Sequence, residues 1–115
     1  MPSIGQDFSI YQGALEVVEI AVTDSTGGAI DLTLFDSLCW ILSKDGTEIL
    51  KEPSTELDII NMDSTGDGVR ITLYSSETAA LDRGKLYEHQ LWGTLSTEPR
   101  PISVGHVTVL RGDGC

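Results

Sequence analysis

The side chains able to do chemistry are few in this chain and stand far apart. There are two histidines, His89 and His106, and two cysteines, Cys39 and Cys115. Nucleophilic catalysis needs a Ser, Cys or Thr held beside a base. Both histidines lie in stretches of strand-like alternation. His89 shares a face with Tyr87 and Leu91, which predicts a packed or sheet-surface side chain and not a general base. No Gly-x-Ser-x-Gly elbow occurs. Zinc needs clustered ligands, and two histidines and two cysteines so dispersed do not supply them. Residues 63–68, DSTGDG, hold two acids close together. They lack the alternating acids and the closing Glu of an EF-hand, so the segment reads as a solvated turn and not as a calcium loop. With 18 acidic residues in the chain, chance carboxylate pairs are inevitable, so no glycosidase pair stands out. The glycines punctuate turns, and none sits between a strand and a long helix as a phosphate loop requires. No catalytic residue, cofactor or metal site is assigned, and the expectation is a protein that is not an enzyme.

Contact chemistry is better represented. Of the aromatic residues Tyr11, Trp40, Tyr74, Tyr87 and Trp92, the pattern places Trp40 and Tyr87 inside. Trp92 falls opposite the Tyr87-His89-Leu91 face, near a strand end, and is the best outward candidate. Arg83, in the turn Asp82-Arg83-Gly84, is the second. An exposed tryptophan suits a protein-contact anchor and, as an alternative, a carbohydrate platform. The formal net charge of −11, from 18 acids against 7 bases, limits the partners. Phosphate binding needs a basic face, so nucleic acid is excluded as the direct partner, and an anionic membrane surface is excluded for the same reason. Excess acid on exposed turns favours solubility and, as a sharper reading, attraction to a basic protein surface or to divalent cations.

These residues must be positioned by strands. At 115 residues the chain is expected to form one domain with its own core, and the ends, 1–6 and 112–115, are expected to be flexible. Cys39 lies in an apolar run and reads as a buried small hydrophobe. Cys115, at the end of the chain, could cross-link under oxidising conditions. The N-terminus lacks a basic start and an apolar core segment, and no apolar run approaches the ~20 residues of a membrane span. A chain made in a cytoplasm is the expectation.

Residues 15–23 alternate, with Val18, Ile20 and Val22 on one face and Val17, Glu19, Ala21 and Thr23 on the other. Residues 38–44, LCWILSK, are apolar on both faces and predict a central strand covered on both sides. Asp45-Gly46 predicts a two-residue hairpin, closed by Pro53. Residues 57–62 suit an edge strand or an extended loop. The segment 69–92 organises the rest. An alternating run through Val69, Ile71 and Leu73 stops at Ser75-Ser76, which could cap one helical turn over 77–81. A tight turn at 82–84 and a second alternating run to Trp92 follow. Residues 94–101, with two prolines, predict a polar loop. The last strand spans 102–110, with an irregularity near Gly105. The expected fold is an all-β, immunoglobulin-like antiparallel β-sandwich of about seven or eight strands with one short helical crossing turn.

Residues 82–87, DRGKLY, resemble the Asp-x-Gly-x-Tyr corner of immunoglobulin-like domains with one extra residue. In that family the tyrosine hydroxyl bonds back to the preceding turn, and its paired cysteines are missing here. A wider likeness runs through FSIYQG (8–13), VTDSTG (22–27) leading to DLT (31–33), ITLYSSETAAL (71–81), GKLY (84–87) and GHVTV (105–109). This order resembles small β-sandwich virion proteins of tailed bacteriophages, in particular the N-terminal domain of siphophage baseplate upper proteins. The resemblance implies a non-enzymatic structural protein of a virion, made in the bacterial host cytoplasm. It would be assembled in symmetric multiple copies against other virion proteins. Baseplate upper proteins continue into further parts, so a free-standing copy implies a capsid cement or decoration protein. The alternatives are a tail, baseplate or connector adaptor, or a carbohydrate- or receptor-binding module.

Overall fold

The computed structural model describes residues 7–23, 28, 30–44, 46–53, 55–62, 64–82 and 84–111. Its strands are β1 (Phe8–Tyr11), β2 (Glu16–Ala21), β3 (Ser37–Lys44), β4 (Thr47–Lys51), β5 (Leu57–Ile60), β6 (Gly68–Leu73), β7 (Leu86–Leu95) and β8 (Glu98–Leu110), with a short helix α1 (Ser75–Ala79) between β6 and β7. They form two sheets, one of five strands in the order β1-β8-β7-β3-β4 and one of three in the order β2-β6-β5. The pairings are antiparallel except β1 with β8, which is parallel. Two sheets stacked in this way make an all-β sandwich. Arg83, Cys115 and the two end segments lie outside the described residues.

Period-2 alternation builds the core. Leu38, Trp40 and Leu42 from β3 and Tyr87, His89 and Leu91 from β7 turn inward and meet Val69, Ile71 and Leu73 of β6 across the sandwich. Each of these strands offers one apolar face every second residue, so two sheets stacked face to face bury both sets. The expectation that β3 is covered on both faces fails. Its other face, Cys39 and Ile41, is only half-buried. β3 has hydrogen-bonded neighbours on both sides, but among the described residues nothing is layered over its outer face.

The crossing between sheets runs through α1. The helix covers Ser75–Ala79, two residues earlier than the predicted turn, and its N-cap is Tyr74, not a serine. Glu77 takes over the capping: its Oε1 accepts the Tyr74 N–H at 2.9 Å. Thr78 Oγ1 donates to the Ala14 carbonyl at 2.7 Å and Gln12 Nε2 donates to the Leu81 carbonyl at 2.7 Å, which ties the crossing to the β1–β2 turn. Gly84 then turns with φ +74°, a conformation glycine adopts without a Cβ penalty, and its N–H donates to the Val109 carbonyl at 2.8 Å. The Tyr87 hydroxyl accepts the Asp82 N–H at 2.9 Å. The corner expected from DRGKLY therefore forms despite its extra residue.

Residues 94–101 are not a loop. β7 and β8 form one long hairpin, with Leu95 paired to Glu98 across Ser96-Thr97. Both turn residues are left-handed, at φ 52° and 65°, as a type I′ turn demands, and this turn contains neither the Asn nor the Gly that usually signals it. Asp36 Oδ2 accepts the Ser96 N–H at 3.0 Å and helps hold the turn. The prolines fit because, among the described residues, β1 pairs with β8 only from Val107 to Leu110 and no strand is paired to the edge of β8 beside Pro99 and Pro101. The irregularity of β8 lies at Ile102, not at Gly105. Leu91 faces Ser103 and Trp92 faces Pro101, so Ile102 is extra, and Ile102 and Ser103 are both buried. Replacing Ser96-Thr97 by Asn-Gly should raise stability by about 1 kcal/mol, because it removes left-handed strain from two L-residues. Urea midpoints of the two proteins measure this, and an unchanged midpoint would contradict it.

Candidate functional site

The outer face of the five-stranded sheet is built by the residues that alternate out of the core. In register across it, Cys39 pairs with Trp92 and Trp92 with Pro101. One step along, Leu50 pairs with Ile41, Ile41 with Gln90 and Gln90 with Val104. The bulge at Ile102 makes this possible. Before it Pro99 and Pro101 point outward, after it Val104 does, and the shift of one residue keeps both sets on the same face. Around Trp92 the face sinks into a cavity of about 360 Å³, lined by Ser37, Leu38, Cys39, Ile41, Glu52, Trp92, Thr94 and Pro99.

Trp92 is the anchor of this groove. It is half-buried, less exposed than its sequence position suggested. Its indole Nε1 donates to Gln90 Oε1 at 2.7 Å, and Gln90 Nε2 donates to Glu88. A ring held by this relay presents apolar surface with little rotamer entropy left to lose on contact. Cys39 is half-buried beside it. Burial and the nearby Glu52 carboxylate push its thiol pKa up from the ordinary value, so the thiol stays protonated and unreactive at neutral pH.

The other residues singled out from the sequence fall elsewhere. His89 is fully buried and accepts the Trp40 indole N–H on Nδ1 at 3.3 Å. His106 is exposed on β8, with Nδ1 3.9 Å from Asp7 Oδ1. The two histidines thus point to opposite faces of the same sheet and do not converge. Among the described residues no group of three His, Cys, Asp or Glu side chains could hold a metal ion. Asp67 is buried and not solvated. Its Oδ1 accepts the Met62 N–H at 2.8 Å and its Oδ2 the Ser64 N–H at 3.0 Å, so both oxygens fold their own turn. Among the described residues no helix is long and apolar enough to cross a membrane.

A charge cluster unseen in the sequence closes the sandwich edge. Lys51 on β4 is buried; its Nζ lies 2.8 Å from Glu77 Oε1, 3.3 Å from Glu56 Oε2 and 5.4 Å from the centre of the Tyr74 ring. It ties the five-stranded sheet to the crossing helix and to the start of β5. A buried ammonium needs such partners, because leaving it alone costs several kcal/mol. Burial alone would raise the Glu77 pKa, but the hydrogen bonds from Lys51 and the Tyr74 N–H, together with the Lys51 charge, bring it below the ordinary glutamate value. A carboxylate depressed in the folded state stabilises above its unfolded pKa, and that contribution is lost as pH falls through the folded value. Glu77→Gln should therefore cost about 1–2 kcal/mol at neutral pH. The gap from the parent protein should narrow progressively as pH falls through and below the usual carboxylate range. Denaturant titrations of both proteins over that range measure it, and a pH-independent gap would contradict the linkage.

No protein-family model and no curated protein matches the chain. Among solved structures it is similar to a 2,6-sialyltransferase from a Photobacterium species, with a TM-score of 0.43 and 11% identity, over 96% of this chain and 18% of that one. The chain spans less than a fifth of that enzyme's length.

Proposed function

We propose that this protein is a non-enzymatic structural component of a tailed-bacteriophage particle, most specifically a capsid-bound cement or decoration protein, and that it attaches to other virion proteins through the outer face of its five-stranded sheet. The observation that carries this reading is the groove around Trp92. It combines a positioned tryptophan, aliphatic and proline surface and a protonated thiol, which is contact chemistry. A rigid sandwich with such a patch can be repeated at equivalent positions of a symmetric shell or tube. The order of sequence motifs shared with small virion sandwiches supports the same assignment. A tail, baseplate or connector adaptor would use the same face.

Mass spectrometry of particles purified from the strain that carries the gene tests the proposal. The expected result is the protein in stoichiometric, symmetry-related copy number. Absence from particles, or a copy number unrelated to capsid or tail symmetry, would refute it. Trp92→Asp should lower incorporation while leaving the melting temperature within a few degrees, because a half-buried outer-face residue contributes little to the core. Glycan-array binding that depends on Trp92 would instead favour a carbohydrate module.

A further inference from the structure

The groove has a charge pattern that specifies its occupant. The charged side chain in its lining is Glu52. In the next register row along the sheet, Ser43 lies between Glu48 on one side and Glu88 on the other, and both carboxylates are exposed. An apolar belt through Ile41 and Trp92 thus has an acid at one end and two acids along its flank. Leu50, 46% exposed, extends the belt to the outer edge of the sheet.

We infer that this belt seats a segment of another protein that inserts an aliphatic or aromatic side chain beside Trp92 and sets Lys or Arg residues against Glu52, Glu48 and Glu88. This rests on the reading of the outer sheet face as the attachment surface and adds the chemistry of the partner. Charge complementarity selects that occupant. A second copy of this chain would bring a net charge of −11 and the same acidic rows against themselves, and like charges juxtaposed across an interface oppose association. A basic, apolar segment gains from both parts of the face. The apolar side chain leaves water in a ready-made cavity, and flanking cations steer the approach and fix the register.

The test uses isotopically labelled full-length protein and three synthetic peptides that share a central Leu-Phe pair and differ in being flanked by Lys, Ser or Glu. The two tryptophans make a built-in control, since Trp92 lines the groove and Trp40 is fully buried. The Lys-flanked peptide should shift the Trp92 indole N–H resonance and leave that of Trp40 in place. It should bind about tenfold more tightly than the Glu-flanked one, the sum of several modest exposed charge contacts, and weaken with added salt. Ile41→Asp should abolish the shift. The double variant Glu48→Lys with Glu52→Lys, at two exposed positions, should reverse the preference between the charged peptides. The inference is overturned if no peptide moves Trp92, if the Glu-flanked peptide binds as well as the Lys-flanked one, or if Trp92 shifts with protein concentration alone, which would place a second copy on the face. Particle composition separates this from the broader reading. Probes that bind when particles lack the protein would leave the groove assignment standing and the virion assignment refuted. Variants that enter particles at parental copy number would do the reverse.

Discussion

Trp40→Ala should destabilise the protein by about 3–5 kcal/mol, one of the two largest effects expected of a single truncation here. Trp40 is fully buried in the sheet interior, on the same inward face as Leu38 and Leu42. Removing an indole from a packed core costs the transfer free energy of the ring and leaves a cavity that rigid neighbouring strands cannot fill. A second cost follows from the hydrogen bond. The indole N–H occupies His89 Nδ1 at 3.3 Å, and a buried acceptor stripped of its donor adds about 1–3 kcal/mol. Trp40→Phe separates the two: it keeps much of the ring volume and loses the donor, so it should fall between the parent and the alanine variant. Urea unfolding of the three proteins measures the series. A melting shift near zero for the alanine variant would mean that the inward face of β3 is not where the structure places it.

Tyr87→Ala should cost a similar ~3–5 kcal/mol, for a reason that is partly local. The ring is almost fully buried, and its hydroxyl reaches out of the core to accept the Asp82 N–H at 2.9 Å. That bond closes the turn by which the chain passes from α1 into β7. Tyr87→Phe keeps the ring and leaves the Asp82 N–H without its acceptor, so about 1–1.5 kcal/mol is expected for the hydroxyl alone. Hydrogen exchange at Asp82 gives an independent reading. The Phe variant should lose protection there while the amides of β3 keep theirs, because opening one corner costs less than unfolding the sheet. Equal loss at both places would show that the bond acts on the whole fold and not on the corner.

Much of the sandwich was legible in the sequence because its strands carry period-2 patterns and its turns carry residues with defined backbone preferences. Val69, Ile71 and Leu73 alternate, so β6 and its inward face could be read directly. Asp45-Gly46 marked the β3–β4 hairpin, and Lys44 pairs with Thr47 as a two-residue loop requires. The Ser96-Thr97 hairpin was missed because its left-handed residues are not the usual ones, and because two prolines read as loop until the edge of β8 is seen to have no paired strand beside them among the described residues. The helix start was placed late because a glutamate three residues on, and not a serine, caps the Tyr74 N–H.

The groove was half legible. Trp92 was placed on the outward face by alternation alone. Cys39 and Ile41 were read as covered, because an apolar residue in a strand carries no mark of which layer, if any, lies over it. Strand periodicity is a property of one segment, so sequence alone determined the fold class, the inward faces of the main strands and the acidic surface. Which strands lie side by side depends on contacts between residues distant in the chain. Only the tertiary structure could therefore bring Lys51 to Glu77, Trp40 to His89, and Cys39, Trp92 and Pro101 into one row.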